Sequence, residues 1–395
     1  MNVILFDPEQ TWTNLLPLTY TRPVSEIRIG ILTIKEKWDK ELNTSCSYLT
    51  KSILSKKFPL KEQADSLFIN GSLCPTPAVI AEIKKLKPLQ ALIKNNEILA
   101  LVGEAKHLKA LLDLEKIEFK EAILNVVNVW DVFQKNGEAL KLDFELLTKN
   151  KKSQALSNTV VVIGNKDLVF LEDGAKAEAC SFNTTAGPIY LAKDAEVMEG
   201  SAVRGPFALG EHSALKLCTK IYGPTTIGPH CKIGGEVNNS VIFGYTNKAH
   251  DGFLGNSVLG EWCNLGADSN NSNLKNNYGN VKLFNYLQNK MVDSGLQFCG
   301  LIMGDHSKSG INTMFNTGTV VGVGANIYGG SFPVTHIPSF SWGGSGGFET
   351  YRLDKLFETA EKVFERRGLK LTIIEKEMLS AVFEKTKEQR HNYLF

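Results

Sequence analysis

The chain of 395 residues is short of several things, and each shortage excludes a class of protein. It has no excess of either charge: 44 lysines and arginines oppose 42 aspartates and glutamates, for a net charge of +2. That balance provides no electrostatic footprint for nucleic acid, which is not expected as a partner. No uninterrupted apolar run reaches the length needed to span a bilayer, so no membrane partner is expected either. The opening stretch Met1 to Asp7 lacks the basic flank and long apolar core of a secretory signal. Paired cysteines are missing as well. Cys46, Cys74, Cys180, Cys218, Cys231, Cys263 and Cys299 are odd in number, widely spaced and never in a C-x-x-C pair. The expectation is reduced thiols in a cytoplasmic protein, without a zinc cluster.

Three segments are present instead. Residues 1–165 mix short apolar runs with helical spacing. Val3 to Phe6 and Ser66 to Ile69 predict buried strands, and Ala78 to Leu86 predicts a helix, which together suggest an α/β layer fold. Residues 166–340 are rich in Gly, Asn, Thr and Val, and they repeat. Leu191, Val197, Val203, Leu209, Leu215, Ile221, Ile227 and Ile233 recur every six residues. Two positions before most of them stands a small residue: Ala195, Ser201, Ser213, Thr219, Thr225 or Cys231, but not at Ile189 or Phe207. The phase slips by two and resumes at Phe253, Leu259 and Leu265. After a long insertion it returns at Met303, Ser309, Phe315, Val321 and Ile327, with Ser309 a flaw in the aliphatic row.

A period of six predicts a left-handed parallel β-helix of hexapeptide repeats. Each hexad makes one flat face and one corner, and stacked coils bury a core that no single repeat could bury. An antiparallel sandwich would instead show a period of two. Residues 341–395 begin with Trp342-Gly343-Gly344-Ser345-Gly346-Gly347, expected to be a flexible joint. Two helices follow, at about 351–366 and 371–390, and are expected to dock on a neighbouring surface. The expected architecture is thus an α/β N-terminal domain, a β-helix and a helical tail.

Two stretches carry a family resemblance. Lys248-Ala249-His250-Asp251-Gly252-Phe253-Leu254-Gly255-Asn256, followed by Asn264-Leu265-Gly266-Ala267 and Asn273, resembles the acetyltransferase domain of the GlmU family. These are bifunctional UDP-N-acetylglucosamine diphosphorylases and glucosamine-1-phosphate N-acetyltransferases. Their K-A-G-H-x-x-Y-x-G-D element precedes an N-I-G-A-G-T-x-x-x-N element by a similar gap. Near the N-terminus, Leu15-Leu16-Pro17-Leu18-Thr19-Tyr20-Thr21-Arg22-Pro23, Arg28-Ile29-Gly30-Ile31-Leu32, Ile69-Asn70-Gly71 and Trp130-Asp131-Val132-Phe133 look like the divergent GlmU-like sugar nucleotidyltransferases of Bacteroidetes-type bacteria.

The resemblance implies a homotrimer that acts on a sugar phosphate and a nucleotide, with acetyl-CoA as co-substrate. It implies His250 as the catalytic base. Asn264, Asn273, Phe253, Tyr222 and Asn238 would contact the acceptor, and Ala267, Gly310 and Gly329 would contact acetyl-CoA. Phe253 stands where the family has a tyrosine. The family's arginine and lysine for the 1-phosphate are unmatched: Tyr222 or Lys220 lies near the first, and Asn238 or Asn239 near the second. In the N-terminal domain the glycine-rich triphosphate loop is missing, since residues 6–13 contain no glycine. Asp7, Arg22, Asn70 and Gly71 are the candidate nucleotide-binding residues. Arg22 is either a phosphate clamp or the partner of an acid, and Mg²⁺ is expected if nucleotidyl transfer is retained.

Two alternatives stand beside this. The N-terminal domain is a sugar-nucleotide-binding or regulatory module on a structural trimer, or His212, His230 and His306 bind zinc as in γ-class carbonic anhydrases. The second lacks that family's H-x-x-x-x-H pair, and no metal is assigned.

Overall fold

The hexad spacing sets the architecture. In the computed structural model, which describes residues 2–109 and 113–391, each aliphatic of the regular row points into a three-sided parallel β-helix. Leu191 through Ile233 are at most 1% exposed. Successive hexads fall on successive faces. The first face has six strands, from Val161–Ile163 to Phe253–Gly255; the second has nine, from Val169–Leu171 to His336–Ile337; the third has ten, from Lys176–Ala177 to Gly347–Thr350. The small residues are buried under the corners, and their hydroxyls bond the coil walls; Ser213 Oγ, for example, donates to Gly228 O at 2.7 Å.

The slip in phase arises at shortened corners. Ile233 to Val237 is four residues and Val237 to Ile242 is five, yet the rungs stay in register. Phe253 is consequently not in the inward row. Leu254 pairs with Val237 and points inward, 2% exposed, while Phe253 faces out. Lys248 takes the inward position between Ile233 and the Leu265 coil. The flaw at Ser309 is buried and bonds Ser269 Oγ at 3.1 Å.

The ladder exceeds the expected 166–340 at both ends. Val161–Ile163 already pairs with Ser181–Asn183. At the other end the Gly-rich stretch is ordered strand rather than a joint: Ser341–Gly344 continues the third face and folds back on Gly347–Thr350 as an antiparallel hairpin. Glycine is needed there because a Cβ on Gly343 would sit 2.1 Å from Gly347 O.

The N-terminal domain carries strands β1 (Val3–Phe6), β2 (Ser47–Leu49), β3 (Ser66–Asn70), β4 (Gln90–Lys94), β5 (Glu97–Gly103) and β6 (Glu115–Glu118) in the order β2-β1-β3-β5-β4-β6. β1 runs parallel to β2 and β3. Helices α1 (Glu9–Asn14), α2 (Ile34–Leu42), α3 (Pro77–Ile83), α4 (Asp131–Gln134) and α5 (Asn136–Thr148) accompany the sheet. α2 is started by a capping box between Thr33 and Glu36, and α3 by Thr76 with Pro77 in its first turn.

The domain packs on the second face of the β-helix, whose outward residues are apolar. Val241, Val258, Ile302 and Val320 share a core with Leu18, Val24 and Val132, and Phe170, Tyr190 and Ala208 share another with Ile31, Leu140 and Phe144. The insertion after the Leu265 coil forms a hairpin, Lys282–Asn285 with Lys290–Asp293, that joins this interface through Leu283. Helices α6 (Leu353–Glu365), α7 (Ile373–Lys385) and α8 (Lys387–His391) close the chain. α6 lies along the corner between the second and third faces, where Phe364 stacks on Trp262 at 3.9 Å. Several outward residues of the first face are exposed, among them Val161, Ile163, Arg204 and Tyr222.

Candidate active site and its relatives

Most of the family-matched residues meet along the edge between the third and first faces. His250 occupies the corner that follows strand Asn247–Lys248 and is exposed. Ala267, Gly310 and Gly329 occupy the same corner in the next coils. Gly266 in this column is demanded by close approach, since a Cβ there would lie 2.5 Å from Gly310 C. On the adjoining first face, Tyr222, Asn238 and Gly255 stand on consecutive rungs. Phe253 and Asn273 converge above Gly255, where a Cβ would meet both side chains within 2.7 Å. Asn273 Nδ2 donates to Asn256 Oδ1 at 2.8 Å. Asn264 faces outward from the third face, on the other side of the corner. Lys220 and Tyr222 are exposed, while Asn239 turns its Oδ1 into the protein.

Lys248, which the spacing left unassigned, reaches this corner from inside. Its Nζ donates to Gly234 O at 2.9 Å and to the His250 carbonyl at 3.0 Å. Burial pulls its ammonium down to about 8, with Asp251 and Asp268 opposing. A signal was present in the sequence: Ile242, Lys248 and Leu254 are six residues apart.

In the N-terminal domain Asp7 follows β1, and Asn70 and Gly71 end β3, so all three lie at the carboxyl edge of neighbouring parallel strands. That edge is the usual place for a nucleotide in such sheets. Gly71 N donates to Phe6 O at 2.8 Å, and a Cβ on Gly71 would approach that oxygen to 2.9 Å. Asp7 accepts from Val24 N and from Thr50 Oγ1. Burial pushes its carboxyl up to about 7 despite those bonds. The donor set does not fit a resident Mg²⁺: both Asp7 oxygens are engaged, and no group of three or more metal-capable side chains occurs among the described residues.

Arg22 is two residues from Val24, whose N–H bonds Asp7 at that edge, but its own side chain turns to the β-helix. It is 4% exposed and ion-paired with Asp305 of the β-helix at 2.5 Å, with Glu261 at 3.3 Å. Of the two roles open to it in the sequence, the structure provides the acid partner, across the domain interface. Thr21 Oγ1 also donates to Asp305, and Thr226 Oγ1 donates to Gly30 O. Both motif stretches between Leu15 and Leu32 therefore meet the β-helix.

His212, His230 and His306 stand in one corner column, interleaved with Tyr245 and Trp262. All five have positive φ, and their rings stack in sequence at 5.0, 4.7, 4.1 and 6.4 Å. Burial holds the His306 imidazole down to about 4, so it is a neutral packing ring at physiological pH.

An α/β sheet docked on a hexapeptide β-helix with a histidine corner defines a two-domain transferase architecture. Residues 3–152 match the family of sugar nucleotidyl transferases. The chain is 30% identical over 183 residues to the bifunctional sugar-1-phosphate nucleotidylyltransferase/acetyltransferase of Sulfurisphaera tokodaii, covering 45% of this chain and 41% of that protein. It is 26% identical over 284 residues to the bifunctional protein GlmU of Methanococcus maripaludis, covering 71% and 61% respectively. The chain thus spans two-fifths to three-fifths of these relatives' lengths. The crystal structure of the polySia-specific acetyltransferase NeuO aligns with 54% of this chain and 99% of its own, at 14% identity and a TM-score of 0.31.

Proposed function

We propose that this protein is a GlmU-like transferase of amino-sugar nucleotide synthesis, in which the β-helix moves an acetyl group from acetyl-CoA to an amino-sugar 1-phosphate. The observation that carries the proposal is the corner column of His250, Ala267, Gly310 and Gly329 beside Phe253 and Asn273. The transfer needs a neutral amine to attack a thioester. His250, exposed at the corner, is assigned the proton of the amine as nitrogen bonds to carbon. Tightly stacked corners offer backbone N–H groups for the oxyanion, and the thiolate of CoA leaves. Lys248 positions this corner through the His250 carbonyl.

The corner is open on its first-face side, and the site is proposed to be completed by a neighbouring copy in a homotrimer. A cytoplasmic setting is part of the proposal, supported by seven cysteines that remain free. No helix among the described residues is long and apolar enough to cross a membrane.

For the N-terminal domain, UTP-dependent transfer at Asp7, Asn70 and Gly71 is the family-like role, with Mg²⁺ arriving on the nucleotide phosphates. Sugar-nucleotide binding without catalysis is favoured by one observation: Arg22, the candidate clamp, is held by Asp305 at the interface. Thermal-shift binding of UDP-N-acetylglucosamine without UTP would support binding alone.

The test of acetyl transfer is thiol release from acetyl-CoA with glucosamine 1-phosphate. His250→Ala is expected to lose at least about a hundredfold in kcat while keeping its melting temperature, because an exposed corner side chain adds little to the aliphatic stack. Wild-type turnover in the variant would move the base elsewhere.

A further inference from the structure

A cavity of about 300 Å³ lies on the third face beneath the end of α6. Its floor is a column of outward residues on successive rungs: Lys232, Asn247, Asn264 and Lys308. Its roof is Arg366 and Arg367, which follow α6. Arg367 Nη2 donates to Asn247 Oδ1 at 3.2 Å, so the roof is tied to the floor. The edges of Tyr245 and Trp262 form an apolar side wall.

The charge of this cavity is one-sided. Four cations line it and no carboxylate does. Lys308 and Arg367 are half-buried and Lys232 and Arg366 exposed, and among the described residues none of the four is within ion-pair distance of an acid, whereas Arg22, Arg28, Lys35 and Lys37 are all paired. Arginines at a helix C-terminus are ordinarily explained by the helix dipole. That explanation reaches Arg366 and Arg367 but not Lys232 and Lys308, which come from strands. Lys308 is half-buried and bonds the His306 carbonyl at 3.2 Å; burial lowers its pKa. Unpaired cations gathered in a partly desolvated hollow repel one another and are stabilised by an anion. Two guanidinium forks, two ammoniums and two amides match the oxygens of a phosphate group. The volume is at the small end for ligand sites, enough for one phosphorylated ring and too small for an entire CoA or nucleoside triphosphate.

We propose that this cavity binds a small phosphate monoester of sugar-phosphate size, held by Arg366 and Arg367 of the tail with Lys232 and Lys308 of the β-helix. The cavity alone supports the phosphate; naming the ligand as the amino-sugar 1-phosphate acceptor rests on the acetyl-transfer function proposed above. On that basis the tail supplies the cations that the family's arginine and lysine positions lack in this chain.

The test is calorimetric titration of the full chain at low ionic strength with glucosamine 1-phosphate, glucose 1-phosphate, inorganic phosphate and glucosamine. The phosphate-bearing ligands are expected to bind and glucosamine is not. Arg366→Gln with Arg367→Gln is expected to weaken sugar-phosphate binding at least tenfold, and Lys116→Gln, exposed on β6 of the N-terminal domain, is expected to leave it unchanged. Binding by the double variant equal to wild type, equal weakening by Lys116→Gln, or no binding of any phosphate monoester by the folded wild type would each overturn the proposal. Thiol release is scored separately. If arginine-dependent binding persists without thiol release, acetyl transfer is the part that fails. If thiol release persists in the double variant at an unchanged KM for the sugar phosphate, the cavity is the part that fails.

Discussion

A lysine in an aliphatic row is costly unless its nitrogen is satisfied, and Lys248 satisfies its own with two carbonyls at the His250 corner. Its ammonium sits near 8, below its ordinary value of 10.5. Between those values the unfolded chain holds a proton that the folded chain has released, so raising the pH from about 8 to about 10 adds stability from this group. Below 8 the contribution is constant. Lys248→Met, similar in length and apolar, lacks the titration. Wild type is therefore expected to gain melting temperature relative to Lys248→Met as the pH rises through that window; a constant difference would mean that Lys248 is not desolvated. Kinetically, the variant is expected to lose kcat for thiol release with little change in KM for acetyl-CoA, because the corner loses an anchor while the coils proposed to bind CoA are untouched. The period of six does pass through Lys248, but the sequence offered no reason to prefer a cation there. That reason is a pair of carbonyls, Gly234 and His250, which meet its nitrogen.

At the scale of elements, Arg22 is the informative case. Its neighbours in the L-P-L-T-Y-T-R-P stretch resemble a family motif, and a motif near a phosphate-binding strand suggests phosphate chemistry. The structure gives the stretch a mechanical task, since Thr21 and Arg22 both bond Asp305 on the β-helix. Removing one partner of a buried ion pair leaves the other charge uncompensated, at a cost of about 3–5 kcal/mol. Arg22→Ala is expected to show that loss in denaturant unfolding, and Arg22→Ala with Asp305→Ala is expected to recover part of it. If the single variant is as stable as wild type but loses UTP affinity, Arg22 has the phosphate role instead. The glycine-rich stretch at 342–347 was similarly illegible. Glycines permit a flexible link and also permit two strands to touch, and only the third-face ladder distinguishes the two outcomes.

For the whole molecule, the three faces have three different fates. The second is covered by the N-terminal domain, the third carries the cavity under α6, and the first is left open with Val161 at 60% and Ile163 at 51% exposure. Apolar residues exposed on an ordered sheet face are best accounted for by another copy of the chain. Light scattering is expected to give three times 43.6 kDa. Ile163→Asp with Tyr222→Asp is expected to yield monomers without acetyl transfer; a stable wild-type monomer with full activity would remove both the trimer and the shared site.

The sequence by itself determined the β-helix, because a period of six can be satisfied by stacked three-sided coils and by little else. It also determined the alternation of the N-terminal domain and the presence of the tail helices, since both follow from local periodicity and capping. Only the tertiary structure decided what each surface meets. Outward residues obey no period, so nothing in the repeat marks Val241 or Val258 as interface, Arg22 as a domain tie, or Arg366 and Arg367 as the roof of a cationic cavity. Those assignments depend on which distant segment comes to rest on which face, and that depends on long-range packing that no local spacing encodes.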